Sequence, residues 1–299
     1  ITLNGGSLDM SGFAIGSSTN LIAFNVQSGT LSSLAQLNGG AALNKTTSGT
    51  LNIGGTNAYT GATNIQDGRV VLVGGSDNHL ATSGSSVLGS GTTSGILQLG
   101  SAAGKSDQTL ASLSTSGTGT ANAVVGGNAT ISTLTLNQTT DATFNGSLGG
   151  SGANENRLSL IKNGVGALTI TGTNSLAGSV SVNAGTLNVA AAGLLGSNVA
   201  SVSVGDGASL NLEHGSTIQQ LTGSGNVVTL GSSTGGRIGF TIDGATNDRI
   251  NLTSGQTLTA NGTIQYASAT ASQWWQVDPG ALHGDSFSNL FVFDVVSSD

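Results

Sequence analysis

Apolar residues recur at every second position along this chain, in short runs. Leu51 and Ile53 flank Asn52, Val180 and Val182 flank Ser181, and Leu187 and Val189 flank Asn188. Alternation of this kind turns successive side chains to opposite faces of a strand, one face apolar and the other small and polar. The same pattern marks strand faces at Leu3 and Leu8, Leu134 and Leu136, Val202 and Val204, Leu210 and Leu212, Val228 and Leu230, Ile250 and Leu252, and Leu258 and Ile264. No stretch carries a helical period. Gly-Thr-Asn triplets, Asp67-Gly68 and Ala184-Gly185 punctuate the strands at intervals of roughly 8–12 residues, as turns do.

Two segments repeat without a gap. Lys45 to Val73 reads KTTSGTLNIGGTNAYTGATNIQDGRVVLV, and Lys162 to Ala190 reads KNGVGALTITGTNSLAGSVSVNAGTLNVA. An offset of 117 residues (162 minus 45) pairs Lys45 with Lys162, Leu51 with Leu168, and Ile53 with Ile170. It also pairs Gly55-Thr56-Asn57 with Gly172-Thr173-Asn174, Gly61 with Gly178, and Gly68 with Gly185. Two β architectures compete for such a chain. A sandwich needs large residues to fill a slab roughly 10 Å thick. A parallel β-solenoid needs only short strands, stacked at roughly 4.8 Å around a narrow interior that Leu, Ile, Val and Ala can fill. The shortage of large residues selects the solenoid, with roughly 20–25 residues per turn and Gly and Asn at its corners. Leu51, Ile53, Ile65, Val70 and Leu72 then point inward, with their partners Leu168, Ile170, Val182, Leu187 and Val189. Asn52, Thr169, Ser181 and Asn188 point outward.

The run Lys162-Asn163-Gly164, then Gly166-Ala167-Leu168-Thr169-Ile170-Thr171-Gly172-Thr173-Asn174, then Gly178, then Asn183-Ala184-Gly185-Thr186-Leu187-Asn188-Val189 closely resembles the autotransporter-associated β-strand repeat. The first unit keeps that repeat's aromatic as Tyr59, and the second replaces it with Leu176. Leu3 to Met10 resembles the rung that follows such a repeat. Asp248-Arg249-Ile250-Asn251-Leu252, followed by Gly284-Asp285-Ser286-Phe287, Phe291 and Phe293-Asp294, resembles a closing region. The resemblance implies an exported, right-handed parallel β-helix of a large bacterial surface protein, passenger-like, secreted or held at the cell surface. Residues 1–265 form the solenoid on this reading, with repeat units near 45–100 and 162–215. Residues 266–299 form an aromatic-rich segment that closes it as a last rung or cap.

Composition narrows the function classes. The chain has 299 residues, 49 Gly, 1 Pro, no Cys and 7% charged residues, with a net charge of −7. One proline and no Gly-X-Y period exclude collagen, and low charge argues against a disordered polyelectrolyte. Seven Lys+Arg against fourteen Asp+Glu argue against nucleic acid as a partner. No apolar run is long enough for a membrane span. The absence of cysteine removes disulfides, zinc-thiolate sites and iron–sulfur clusters. The chain opens on Ile1 with no charged and apolar leader, as a processed product or fragment would.

Candidate chemistry is thin. Enzymes built on β-helices need carboxylates and bases converging on one groove, whereas Asp67, Asp77, Asp107, Asp141 and Asp206 are scattered. Asp243 and Asp248, beside Arg249, read as a turn and a surface ion pair. His79, His214 and His283 are isolated in unlike contexts. Gly74-Gly75-Ser76-Asp77 and Gly205-Asp206-Gly207 are fragments of a calcium-binding repeat without its tandem spacing. Gly223-Ser224-Gly225 precedes no helix, so it is no phosphate loop. No cofactor is expected, with structural calcium at the two glycine–aspartate fragments as the alternative.

One region departs from this background. Tyr266, Trp274, Trp275, Phe287, Phe291 and Phe293 are gathered near the C-terminus, in a chain of only 2 Trp, 2 Tyr and 7 Phe. Adjacent Trp residues on a strand face opposite ways, and an exposed Trp generally has a partner. These six residues are therefore the candidate self-association or ligand contacts. Two functional readings follow. The first is a non-enzymatic structural protein that builds a surface fibre, stalk or matrix from copies of itself. The second is an adhesin or carbohydrate-binding passenger whose partners are surface glycans.

Overall fold

Short strands separated by turns wind the chain into a three-sided coil. The computed structural model describes residues 1–190, 195, 196, 198–212 and 222, and strand segments between residues 218 and 277. Beyond residue 212 only the side chains of Thr222, Val228, Thr229 and Ile238 are described. Among the described residues there is no helix, so none is long and apolar enough to cross a membrane. The fold is the all-β parallel solenoid that the alternation and the small residues require.

The first face begins with Thr2–Leu3, Asn25–Val26, Leu43–Lys45, Thr63–Ile65, Ser85–Leu88 and Ser112–Thr115, paired in that order. Ala142–Phe144 packs beside Ser112–Thr115 and carries the face onward through Ala167–Ile170, Thr186–Val189 and Ser209–Leu212. The second face runs from Ser7–Asp9 through Gly29–Ser32, Thr50–Gly54, Gly68–Leu72, Gly95–Leu99 and Ala123–Gly126 to Ser147–Leu148. The third runs from Gln108–Leu110 through Ser132–Asn137, Leu158–Asn163, Val180–Val182 and Val202–Val204 to Gly225–Leu230 and Gln256–Ala260. All these pairings are parallel. The turns are less uniform in length than the repeat suggests. A short turn brings Val70 beside Leu51, whereas a much longer one separates Leu258 from its partner Val228. The excess goes into corner loops, which a solenoid tolerates because only the strands must stay in register.

The core is a stack of inward-facing residues, many strands contributing two or more. Leu51, Ile53, Ile65, Val70, Leu72, Leu168, Ile170, Val182, Leu187 and Val189 are all fully buried, as the alternation predicts. Each such side chain contributes about 1.5–3 kcal/mol by leaving water. Asn52, Thr169, Ser181 and Asn188 are only half-buried, on the outer side. Their outer faces are joined rung to rung by side-chain hydrogen bonds. The Asn211 amide donates to Asn188 at 2.9 Å, and the Ser203 hydroxyl to Ser181 at 2.9 Å. Asn183 donates to Asn163 at 2.9 Å, and Asn163 to Asn137 at 3.0 Å.

The parallel order changes near the C-terminal end of the described strands. Thr263–Ser268 continues the first face beside Arg237–Asp243, and Ala271–Val277 then returns antiparallel to it. The backbones of Tyr266 and Trp275 lie opposite each other, as do those of Ala267 and Trp274. Phe287, Phe291 and Phe293 lie outside the described residues, as do the side chains of Tyr266, Trp274 and Trp275.

Candidate functional site

The most specific constellation in the described chain is one that each repeat unit builds. Lys45 and Lys162 are both fully buried, although they sit on strands. The Lys162 ammonium donates to the carbonyl oxygens of Asn163 at 2.9 Å, Gly164 at 2.8 Å and Ala184 at 3.2 Å. The Lys45 ammonium donates to those of Thr47 and Asp67, the latter at 3.0 Å. Thr47 and Asp67 stand in the first unit where Gly164 and Ala184 stand in the second. Each cage therefore ties a strand to its own corner and to the next turn. Burial lowers both lysine pKa values below the ordinary value, while the Asp67 and Asp141 carboxylates oppose the shift. The carbonyls supply partial negative charge where no carboxylate bonds to the ammonium. The sequence marks the pair only as two aligned lysines, each at an inward position of the alternation.

A lysine inside a carbonyl cage is closed to reagents. The chain contains three lysines, and Lys105 alone among them stands at the surface. Brief treatment with an amine-selective acylating reagent is therefore expected to label Lys105 and the α-amino group, leaving Lys45 and Lys162 unlabelled until the chain is denatured. Peptide mass spectrometry would read this, and early labelling of Lys162 would contradict the cage.

The aromatic position of the repeat is also internal. Tyr59 is buried, and its hydroxyl lies 2.6 Å from the Thr63 hydroxyl. In the second unit Leu176 and Val180 occupy the same two places, both fully buried. A polar pair has thus been exchanged whole for an apolar pair, so neither unit leaves a hydroxyl unpaired at these two places. Burial pushes the Tyr59 phenol far above its ordinary value, with the Thr63 hydrogen bond opposing. Above pH 10.0 the unfolded chain loses this proton while the folded chain keeps it. Folding stability from Tyr59 is therefore complete below that pH and falls as pH rises beyond it. In an alkaline ultraviolet titration, a delayed phenolate step is expected that disappears in Tyr59→Phe. A wild-type curve equal to that of the variant plus one ordinary phenol would refute this.

The other candidates resolve into structural roles. His79 is buried, with Nδ1 2.8 Å from the Gly55 carbonyl oxygen and Nε2 2.8 Å from that of Val73. Both ring nitrogens are committed to backbone, so neither is turned to a metal. Asp77 accepts the Asp107 amide at 2.8 Å, and Lys105 pairs with Asp107. The aspartate of the Gly74–Asp77 fragment is thereby used within the chain. Asp243 pairs with Thr246 in an antiparallel hairpin, which places it at a turn. Asp248, His214 and His283 lie outside the described residues, as does the side chain of Arg249. Among the described residues, no group of three or more His, Cys, Asp or Glu side chains could hold a metal ion.

The two repeat units, related by sequence, do not occupy the same faces. In the first, Leu43–Lys45 lies on the first face and Thr50–Gly54 on the second. In the second, Leu158–Asn163 lies on the third face and Ala167–Ile170 on the first. The unit is displaced by one face, about a third of a turn, because the unequal turns between the two units do not sum to a whole number of turns. The model of the passenger-associated-transport-repeat family matches residues 43–72 and 160–189, the two segments that carry the cages. No curated protein and no solved structure was found to match the chain. Bearing this repeat twice in a parallel coil with no helix among the described residues, the chain fits an autotransporter-associated β-repeat protein, a β-solenoid of the passenger type.

Proposed function

We propose that the chain is a non-enzymatic structural passenger, secreted or displayed on the bacterial surface, whose solenoid serves as a shaft and associates with copies of itself end to end. The observation that carries this reading is where the outer polar groups point. Asn137, Asn163 and Asn183, Ser179 with Ser201, Ser181 with Ser203, and Asn188 with Asn211 bond along the coil axis rather than converging on a groove. Side chains used this way reinforce a shaft. Two further features support end-to-end contact. Apolar side chains are exposed in the N-terminal turns, and exposed apolar surface takes partners. Ile1, Phe13 and Leu21, each more than 60% exposed, lie at that end. The aromatic stretch from Tyr266 to Phe293 is the proposed opposing surface, since interface cores are enriched in aromatics.

Sedimentation velocity and electron microscopy of the chain test this. Concentration-dependent rods are expected, shortened by Phe13→Ser and by Trp275→Ser. A stable monomer at high micromolar concentration, unchanged in both variants, would overturn the self-association. Retention on a glycan array by such a monomer would favour the adhesin reading instead.

A further inference from the structure

The outward side of the second face is covered at one place by a loop from a later turn. After Ser147–Leu148 the chain leaves the face, and residues 149–157 double back over it. The Gly126 amide donates to the Glu155 carbonyl at 2.9 Å. Contact at Gly126 is close enough that a Cβ there would stand 2.5 Å from the Arg157 carbonyl oxygen and 2.6 Å from that of Asn154. Glu155 reaches further. Its carboxylate lies 3.0 Å from Arg69 on Gly68–Leu72, and Arg69 also donates to Gln98 on Gly95–Leu99 at 2.6 Å. The same carboxylate accepts the Gly152 amide at 3.0 Å, which shapes the loop for the reach. Val71 and Val125 share the outward column with Gln98. They are 7% and 2% exposed, although outward residues elsewhere on the coil are half-buried or more exposed.

We propose that residues 149–157 form a strap that locks the register of the turns beneath it. Arg69 and Glu155 are 86 residues apart. They meet only when Gly68–Leu72, Gly95–Leu99 and Ala123–Gly126 are stacked in their native pairing. A slip of one residue in any of these strands turns Arg69 or Gln98 to the inner side and Leu97 or Val124 to the outer. The strap then finds no cation at Arg69's position and no glycine at Gly126. Closure is thereby conditional on a correct stack, and a closed strap resists slippage of the strands it spans. Its fastening is weak enough to open without unfolding the coil. The ion pair's side chains are 29% and 23% exposed, and the loop carries Gly149, Gly150 and Gly152.

Two readouts on the full chain test the strap. Amide exchange at Gly126 reports its opening, and limited trypsin digestion reports access to the Arg157–Leu158 bond. Glu155→Gln and Arg69→Met are each expected to raise both by about fivefold, the change in open population for a partly exposed ion pair worth about 1 kcal/mol. The double variant should do no more than either single one, since both remove the same contact. Gly126→Ala, which forces the strap outward without touching a charge, should raise trypsin cleavage further. Exchange in the core strands Leu158–Asn163 and Ala167–Ile170 should not change. Unaltered exchange at Gly126 in all three single variants would overturn the proposal. So would an increase that spreads equally to those core strands, because that is general destabilisation rather than strap opening.

Discussion

Asn57→Leu is expected to lower stability by about 3–5 kcal/mol, several times the effect of an ordinary surface substitution. Asn57 is 6% exposed and joins three successive turns. Its Oδ1 accepts the Leu34 amide at 2.9 Å, and its Nδ2 donates to the carbonyls of Gly54 and His79 at 3.1 Å each. Leucine has the same heavy-atom branching with two bulkier methyl groups, and makes none of these bonds. One amide and two carbonyls are then left in the interior without water, each unmade bond costing about 1–3 kcal/mol. Asn174, its counterpart in the second repeat, accepts the Leu148 amide at 3.0 Å and is 4% exposed. Asn174→Leu should therefore be severe as well. Urea titration followed by circular dichroism would measure both. A loss below about 1 kcal/mol for Asn57→Leu would show that the turn has other means of satisfying those groups.

Gly185→Val is expected to be at least as damaging, at about 3 kcal/mol or more. Gly185 has φ of +66°, and Gly68 at the same place in the first unit has φ of +77°. L-residues avoid this region, β-branched ones most of all. Space is absent too. A Cβ on Gly185 would lie 2.6 Å from the Gly164 carbonyl oxygen and 2.7 Å from that of Gly166. The Gly164 carbonyl is one of the three that hold the Lys162 ammonium. Displacing it opens the cage as well as the turn. Loss of amine protection at Lys162 should thus accompany the drop in thermal midpoint. Gly185→Val with a midpoint within a few degrees of the parent chain would refute the assignment.

The two predictions fall on residues that the sequence singles out for different reasons. Gly185 is legible because a turn glycine between two alternating runs has a local cause. Asn57 is legible only as part of a Gly-Thr-Asn turn, and nothing nearby in sequence announces that its amide spans the turns above and below. The caged lysines show the same limit. Alternation places Lys162 inward between Leu160 and the following corner. A lone lysine at an inward position looks like a misfit until the carbonyls of Asn163, Gly164 and Ala184 are brought around it. The swap of Tyr59 and Thr63 for Leu176 and Val180 is visible as two separate differences between repeats. It becomes one exchange only when the two hydroxyls are found 2.6 Å apart.

By itself the sequence determined the alternating strands of the two repeat units, their inner and outer faces, the solenoid and the repeat. Each of these follows from a period of two, from glycine's access to positive φ, or from residues adjacent in the chain. The tertiary structure decided what depends on how turns of unequal length accumulate. That includes the displacement of the second repeat unit by one face, which follows because the turns between the units, such as those from Leu97 to Val124 and from Leu134 to Leu160, do not divide the offset between the units into whole turns. It includes the strap, where Glu155 meets a residue 86 positions earlier. Alternation fixes which way a side chain points from its own strand, because that is set by the backbone geometry of neighbouring residues. Which distant residue it meets is set by the number and length of the intervening turns, and no local pattern encodes that sum.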